Sequence, residues 1–485
     1  MADSSRDPTA TLLASRETAL PVTLTPHGHM LELQALLRFM PERRAVYSGL
    51  LDGQPVIIKL FSAHPRSRRE VQTEHQRLAA LAEKQVPAPR VLLRDYPGET
   101  ALLVLEHLGQ MSAKVRLQKM SAGEIPGLVL ELVALTRNMH RQGVVQNDIH
   151  LDNFILAEGS WHVIDAGDVE VADAPVEKSK ALANLSLLLA QFPPLSLPPA
   201  QQVADAYGDA FSPQQLADCL KKTRQARLRK LVKKSLRNCT EFVELDGKGY
   251  TGMGRRQDQS LIGALLDHGL DALLEDSERL KDGNSATVGR VRLHDESLVI
   301  KRYNVKSAWK KLARQFKSRA RNSWLNAAYL GLVHVETPQA VCYLSSKQAG
   351  LTDREYLVCR NAQGKMLPEI CEDGGMLRSR ALSQMADFFA VMRLMAFSHG
   401  DSKYTNFLFR DGELQVLDLD GMSREPGRGL EQDLAAQRER LFESWRPREA
   451  LAPQARQEFQ ALYDARIQSI EIGRASCRER VSTSV

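Results

Sequence analysis

The sequence predicts an α+β protein of two similar bilobal domains, each a small β-sheet lobe followed by a helical lobe. Three observations predict it. The set Asp148, Asn153 and Asp165 recurs 253 positions later as Asp401, Asn406 and Asp418, with the same internal spacings of 5 and 12. The apolar context recurs with it: Asn153-Phe154-Ile155-Leu156 matches Asn406-Phe407-Leu408-Phe409, and Val163-Ile164-Asp165 matches Val416-Leu417-Asp418. Ahead of each set runs the same order of strand, helix, break, strand and helix.

Residues 1–30 read as a polar, disordered leader with no signal pattern. After Gly53-Gln54-Pro55, the β-branched run Val56–Phe61 reads as a strand and carries Lys59. RSRREVQTEHQRLAALAEK follows as a helix, with Val71, Leu78 and Leu81 near helical spacing. Val86-Pro87-Ala88-Pro89 breaks it. Ala101–Glu106 is the next strand, and GLVLELVALTRNMHRQG is a helix running into Asp148. Residues 175–240 read as helices of the first domain's larger lobe. Within them, 181–199 is a buried helix ended by Pro193-Pro194 and too short to span a bilayer.

In the second half Leu298–Lys301 is the strand, 307–331 the helix, Thr337-Pro338 the break and Tyr356–Cys359 the next strand. SQMADFFAVMRLMAF is the helix before His399-Gly400-Asp401. The two lysines stand 242 positions apart and the two aspartates 253, a loop-scale difference. The expected organisation is a first domain over 31–245, a linker over 246–280 and a second domain over 281–470. The tail 471–485, EIGRASCRERVSTSV, resembles translated vector sequence and is set aside as non-native, with Cys477.

The apolar fraction, 43%, is ordinary for a globular protein. The net charge of +6 conceals clustering: 221–237 holds nine Lys or Arg and 302–321 holds eight, neither with an acid. Leu228, Leu231, Val232 and Leu236 give the first run an apolar stripe. Such segments suit an anionic membrane surface or a phosphorylated glycan. Neither run is interleaved with the aromatics of a single-strand platform, so no nucleic acid is expected as partner. Six scattered cysteines without a C-x-x-C pair point to a reducing cytoplasm.

The repeated residues are those a Mg²⁺·ATP phosphotransferase needs. Asp148 or Asp401 accepts the proton of the attacking hydroxyl. Asn153 with Asp165, or Asn406 with Asp418, supplies hard oxygen ligands for Mg²⁺. Lys59 or Lys301 neutralises the phosphates, and Glu74, 15 residues after Lys59, orients it. His150 and Lys403, each two residues after its aspartate, are donors toward the transferring phosphoryl group or else loop residues packing locally. His140 and His399 read as structural. Alone, each Asp or Asn would be a turn residue. Their duplication is what carries the reading.

Lys59, Glu74, Asp148, Asn153 and Asp165 resemble the protein-kinase-like fold. QNDIHLDNFIL and HGDSKYTNFLF resemble the H-G-D-L-H-x-x-N loop of its small-molecule and lipopolysaccharide branch. VPAPRVLL and LVIKRYN are similar to segments of the bacterial lipopolysaccharide core heptose and Kdo kinase family. The resemblance covers roughly 40–240 and 281–440. It implies two tandem protein-kinase-like bilobal domains, with ATP and Mg²⁺ as cofactors. It further implies phosphorylation of a sugar hydroxyl, a heptose of the lipopolysaccharide inner core. The expected partners are lipopolysaccharide core or a lipid A–core precursor, and the inner face of the cytoplasmic membrane, held peripherally through the basic segments. An aminoglycoside- or choline-type small-molecule kinase and a pseudokinase scaffold remain as alternatives.

Several residues depart from the family pattern. Gln146-Asn147 stands where the family has His-Gly or His-Arg. No acid lies between Lys301 and Glu336, and the counterpart of Glu74 falls near Ser323. Neither expected domain, 31–245 or 281–470, has a G-x-G-x-x-G turn, leaving Ser48-Gly49 and Asn284-Ser285-Ala286 as turn candidates. Asp418-Leu419-Asp420-Gly421 offers Asp420 as a further metal ligand.

Overall fold

The structure, a computed structural model, describes residues 8–15, 18–40, 43–62, 64–97, 100–208, 210–304, 318–348, 351–410, 412–424, 429–445 and 448–479. The chain forms two units, residues 1–191 with 196–220, and residues 192–195 with 221–485. Each has a curled antiparallel sheet and a helical lobe, a bilobal kinase-like arrangement.

The first sheet contains β1 (Val22–Leu24), β2 (Leu31–Met40), β3 (Arg44–Leu51), β4 (Gln54–Phe61), β5 (Val91–Asp95) and β6 (Ala101–Glu106), in the order β1-β2-β3-β4-β6-β5. Side chains alternate between faces along a strand. Ala45, Tyr47, Ile58, Leu60, Leu102 and Val104 bury one face. Lys59 therefore points from the other, where the helix Pro65–Glu83 packs Val71, Leu78 and Leu81.

The leader expected over 1–30 is in part ordered. A helix, Pro8–Ala14, places Leu12 and Leu13 in the core of the sheet. Tyr47 Oη donates to the Leu12 carbonyl at 3.0 Å, and the Thr9 and Thr100 hydroxyls lie 2.7 Å apart. Two leucines among small polar residues are too brief a periodic signal to announce a helix.

In the helical lobe, Ile125–Arg141 buries Leu128, Leu132, Val133 and Met139 and stops before Gly143. Gly143 has φ +76, and a Cβ there would lie 2.3 Å from the Ala172 carbonyl oxygen. Four short strands follow: β7 (Val144–Gln146), β8 (Phe154–Ala157), β9 (Ser160–Val163) and β10 (Val169–Val171). β7 pairs with β10 and β8 with β9, both antiparallel. These two ladders fix loop 147–153 beside the turn Ala166–Asp168.

The second sheet contains β11 (Phe242–Gly247), β12 (Tyr250–Arg255), β13 (Glu278–Asp282), β14 (Ala286–Leu293), β15 (Glu296–Tyr303), β16 (Ala340–Gln348) and β17 (Leu351–Arg360), in the order β11-β12-β16-β17-β15-β14-β13. β14 and β15 repeat β3 and β4 at the 242-residue offset. Residues 246–280, expected as a linker, belong to this unit. β12 pairs with β16, and Leu261, Ile262, Leu265, Leu270 and Leu274 pack on Leu298, Ile300, Tyr356 and Val358. The Gly- and Asp-rich composition that suggested a linker is that of a hairpin turn, with Lys248 and Gly249 at positive φ.

The first domain also ends earlier than expected, because the helix Pro213–Lys234 joins the second unit from residue 221. Leu228 packs against the aromatic core of the second helical lobe, and Val232 and Leu236 pack near Phe242 and Trp324. Three of the four residues of the first run's apolar stripe, Leu228, Val232 and Leu236, are thus half-buried against the protein's own core. In the second basic run, 305–317 lie outside the described residues.

The lower lobe of this unit has β18 (Lys365–Met366), β19 (Phe407–Arg410) and β20 (Glu413–Val416). The Phe407–Val416 pairing repeats Phe154–Val163 at the 253-residue offset. Gly375–Met395 and Ala452–Glu479 pack around Phe388, Phe389, Phe459 and Trp445. The side chains of 471–485, Cys477 included, lie outside the described residues. Among the described residues no helix is long and apolar enough to cross a membrane. The five described cysteines are free. Burial pushes the Cys371 thiol up to about 11 and Cys359 up to about 12, so these thiols are inert.

Candidate active sites

In the first cleft, β4 brings Lys59 to two carboxylates. Lys59 Nζ lies 2.5 Å from Glu74 Oε1 and 3.3 Å from Asp165 Oδ1. Lys59 and Glu74 are both buried. Burying an ammonium is costly unless it is paired, and removing Glu74 would leave it short of a partner. Burial works to raise the Asp165 carboxyl, but Lys59, Arg44 and Arg38 hold it below the usual carboxylate range.

Asp165 sits in the left-handed region at φ 59, ψ 55, and Asp418 does so at φ 54, ψ 63. A non-glycine residue there is uncommon, and the same conformation at both matching positions points to a shared demand on the carboxylate. The Gln146 side chain donates to the carbonyls of Ile164 and Asp165 at 3.3 and 3.4 Å. His399 Nε2 meets the Leu417 carbonyl at 2.8 Å in the second cleft. Gln146 thus does the work of the histidine that the family pattern would place there. His140, which bonds Tyr207 Oη and Asn184, and His399 are both structural, as expected.

Asn153 Nδ2 donates to the Asp148 carbonyl at 2.9 Å, and Asn406 Nδ2 to the Asp401 carbonyl at 2.7 Å. Each amide nitrogen is thereby engaged, which leaves the amide oxygen as a hard ligand atom. Among the described residues no cluster of three or more His, Cys, Asp or Glu could cage a metal alone. One carboxylate and one amide per cleft fit a divalent ion that draws its remaining ligands from phosphate and water.

The two proton-acceptor positions differ. Asp148 is 61% exposed, and its one ionic neighbour among the described residues is His150 Nε2, at 3.3 Å. Asp401 Oδ1 is held by Arg440 at 2.8 Å, and Oδ2 lies 3.5 Å from Lys403. His150 and Lys403 therefore sit on their own aspartates. Arg440, on the helix Leu430–Glu443, bears no spacing relation to the motif and left no signal in the sequence.

The lysine anchor differs as well. Lys301 pairs with Asp418, and lies 3.3 Å from Asp420 Oδ2, which Arg319 also holds at 2.5 Å. Asp420, expected as a further metal ligand, is instead taken by these two cations. Ser323 stands where Glu74 stands in the first unit. Its hydroxyl bonds Tyr303 Oη at 3.0 Å and leaves Lys301 to the aspartates. Burial works against the Lys301 ammonium, but Tyr303, Asp418 and Asp420 keep its pKa above the usual lysine value.

A phosphotransferase enzyme family model matches residues 42–146, from β3 through β7, with the strand lysine and the helix glutamate. The chain is an ATP-dependent phosphotransferase. The family implies ATP and, as a rule, a divalent ion. The crystal structure of the Mycobacterium tuberculosis PknI kinase domain aligns with 42% of this chain and 99% of that one, at 16% identity and a TM-score of 0.28. No curated protein matches the chain.

One pH effect follows from the scaffold histidine. Burial lowers the His399 pKa below 6.5, and the Leu417 carbonyl only partly offsets it. The unfolded chain then binds the proton more readily. This stabilising contribution is complete above the unfolded value and is lost as pH falls below it. In His399→Gln, which copies Gln146, the melting temperature should fall less than in wild type between about pH 7.5 and about pH 5.5. An equal fall would contradict the assignment.

Proposed function

We propose that the first cleft transfers the γ-phosphoryl group of ATP to a hydroxyl of a heptose in the lipopolysaccharide inner core. The observation that supports it most is the pairing of an intact Lys59–Glu74–Asp165 network with an open Asp148. Lys59 holds the phosphates, Glu74 keeps Lys59 aimed, and Asp148 accepts the proton of the attacking hydroxyl. Asp165 and Asn153 hold Mg²⁺, which when bound offsets charge on the phosphates. The substrate class rests on the loop resemblance QNDIHLDNFIL and HGDSKYTNFLF.

The two units read as copies of one ancestral domain, since strands and motif recur at fixed offsets. In the second copy Arg440 occupies Asp401 and no helix glutamate aims Lys301, which favours a regulatory or acceptor-binding role. Lys221, Lys222, Arg229, Lys230 and Lys233 are exposed on the helix Pro213–Lys234 and would meet anionic lipid or glycan by charge alone, in the cytoplasm.

Mass spectrometry of core oligosaccharide tests the substrate. Cells carrying Asp148→Asn should lack one core phosphate. A complete set of phosphates would move the acceptor to another class, such as a small soluble alcohol.

A further inference from the structure

The β2–β3 and β13–β14 hairpins, on the sheet side next to the lysine strands, carry no G-x-G-x-x-G sequence. GKGYTG at 247–252 lies in the β11–β12 hairpin at the opposite edge of the second sheet, and Ser48-Gly49 lies within β3 instead of at its end. What each of the two hairpins carries is a cation in register with the lysine. In the first unit Arg38, Val46, Lys59 and Leu103 stand opposite one another across β2, β3, β4 and β6. Directly opposed residues of an antiparallel sheet share a face, so Arg38 shares the cleft face with Lys59. The register shifts between Leu36 and Arg38, leaving Leu37 exposed as the extra residue, while Leu36 and Phe39 stay packed on the core. Such bulges re-aim a side chain. Arg44, two residues before Val46, joins the same face with its guanidinium 5.8 Å from the Phe61 ring centre.

The second unit builds the row again from different residues. Lys281, Val288, Lys301 and Leu357 stand opposite one another across β13, β14, β15 and β17. The register shifts between Arg279 and Lys281, and the extra residue is again an exposed leucine, Leu280. Arg38 and Lys281 have no salt-bridge partner among the described residues, whereas Arg43 on the first hairpin is paired with Glu70 at 3.0 Å. Their charge is felt at the metal-type aspartates. Arg38 and Arg44 add to Lys59 in keeping Asp165 ionised, and Lys281 adds to Lys301 at Asp418. Solubilising edge charges need no fixed register with the lysine. Here the same register and the same bulge accompany an arginine in one unit and a lysine in the other.

We propose that Arg38 with Arg44 in the first cleft, and Lys281 in the second, bind the terminal phosphates of a nucleoside triphosphate from the overhanging hairpin. They supply through side-chain cations the contacts that a glycine-rich turn supplies through backbone amides. This rests on reading the clefts as nucleotide sites.

Calorimetric titration of the full chain with ATP, ADP and AMP in Mg²⁺ tests it. Arg38→Gln should weaken ATP binding at one site about tenfold or more and leave AMP unchanged. Lys281→Gln should do the same at the other site. Arg38→Lys should recover most of the loss, and Arg43→Gln should match wild type. Wild-type ATP affinity in both glutamine variants would overturn the proposal, as would equal weakening of ATP and AMP. A wild-type chain that binds no nucleotide would overturn the site reading beneath it, which separates the two failures.

Discussion

Asp148→Asn is expected to slow phosphoryl transfer to deacylated lipopolysaccharide core by about 10²–10⁴-fold, while Asp401→Asn leaves the rate near that of wild type. The contrast follows from what each carboxylate faces. Asp148 is open to solvent beside the His150 imidazole, its one ionic neighbour among the described residues, and can meet an incoming hydroxyl. Asp401 is bound by Arg440 on one oxygen and approached by Lys403 on the other. A cation against each oxygen obstructs the approach of a hydroxyl to that carboxylate. The asparagine keeps the size and most hydrogen-bonding capacity of the aspartate, so a loss of rate with unchanged melting would reflect chemistry. The reverse pattern, with Asp401→Asn inactive and Asp148→Asn active, would assign the reaction to the second unit.

The residues that touch phosphate and metal in this account were legible because function fixes their spacing. Lys59, Glu74 and Asp165 meet although they span more than a hundred positions, and Asn153 bonds the Asp148 carbonyl in the loop that follows. The absent partner of Lys301 was legible too, as a stretch without acids, and Ser323 stands at that position. What replaced it was not legible. Arg319 and Asp420 come together through tertiary packing of a helix on a turn, and no periodicity encodes that contact. The same holds for Arg440.

The domain boundary failed for a different reason. Composition marks turns well but does not say whether a turn ends a domain or closes a hairpin inside one, as at Lys248-Gly249. The leader failed because seven residues around Leu12 and Leu13 carry too few apolar positions to show a period. In the basic helix, the stripe of Leu228, Leu231, Val232 and Leu236 was visible, but not that three of its residues pack against the chain's own core. The cation row of Arg38 and Lys281 escaped because a bulge hides it. One extra residue reverses the alternation from which strand faces are read.

Binding of nucleotide with its ion tests the centre of the account most directly. Calorimetry of wild type should show tighter ATP binding in Mg²⁺ than in a chelator, because Asp165 and Asn153 supply oxygen ligands that the bare nucleotide cannot use. In Asp165→Ala the benefit of Mg²⁺ at the first cleft should disappear, with Lys59–Glu74 left in place to retain a weak, ion-independent affinity. Asp418→Ala should alter only the second cleft. An Asp165→Ala chain that keeps the full Mg²⁺ dependence of wild type would contradict the assignment of this cleft as the phosphotransfer site.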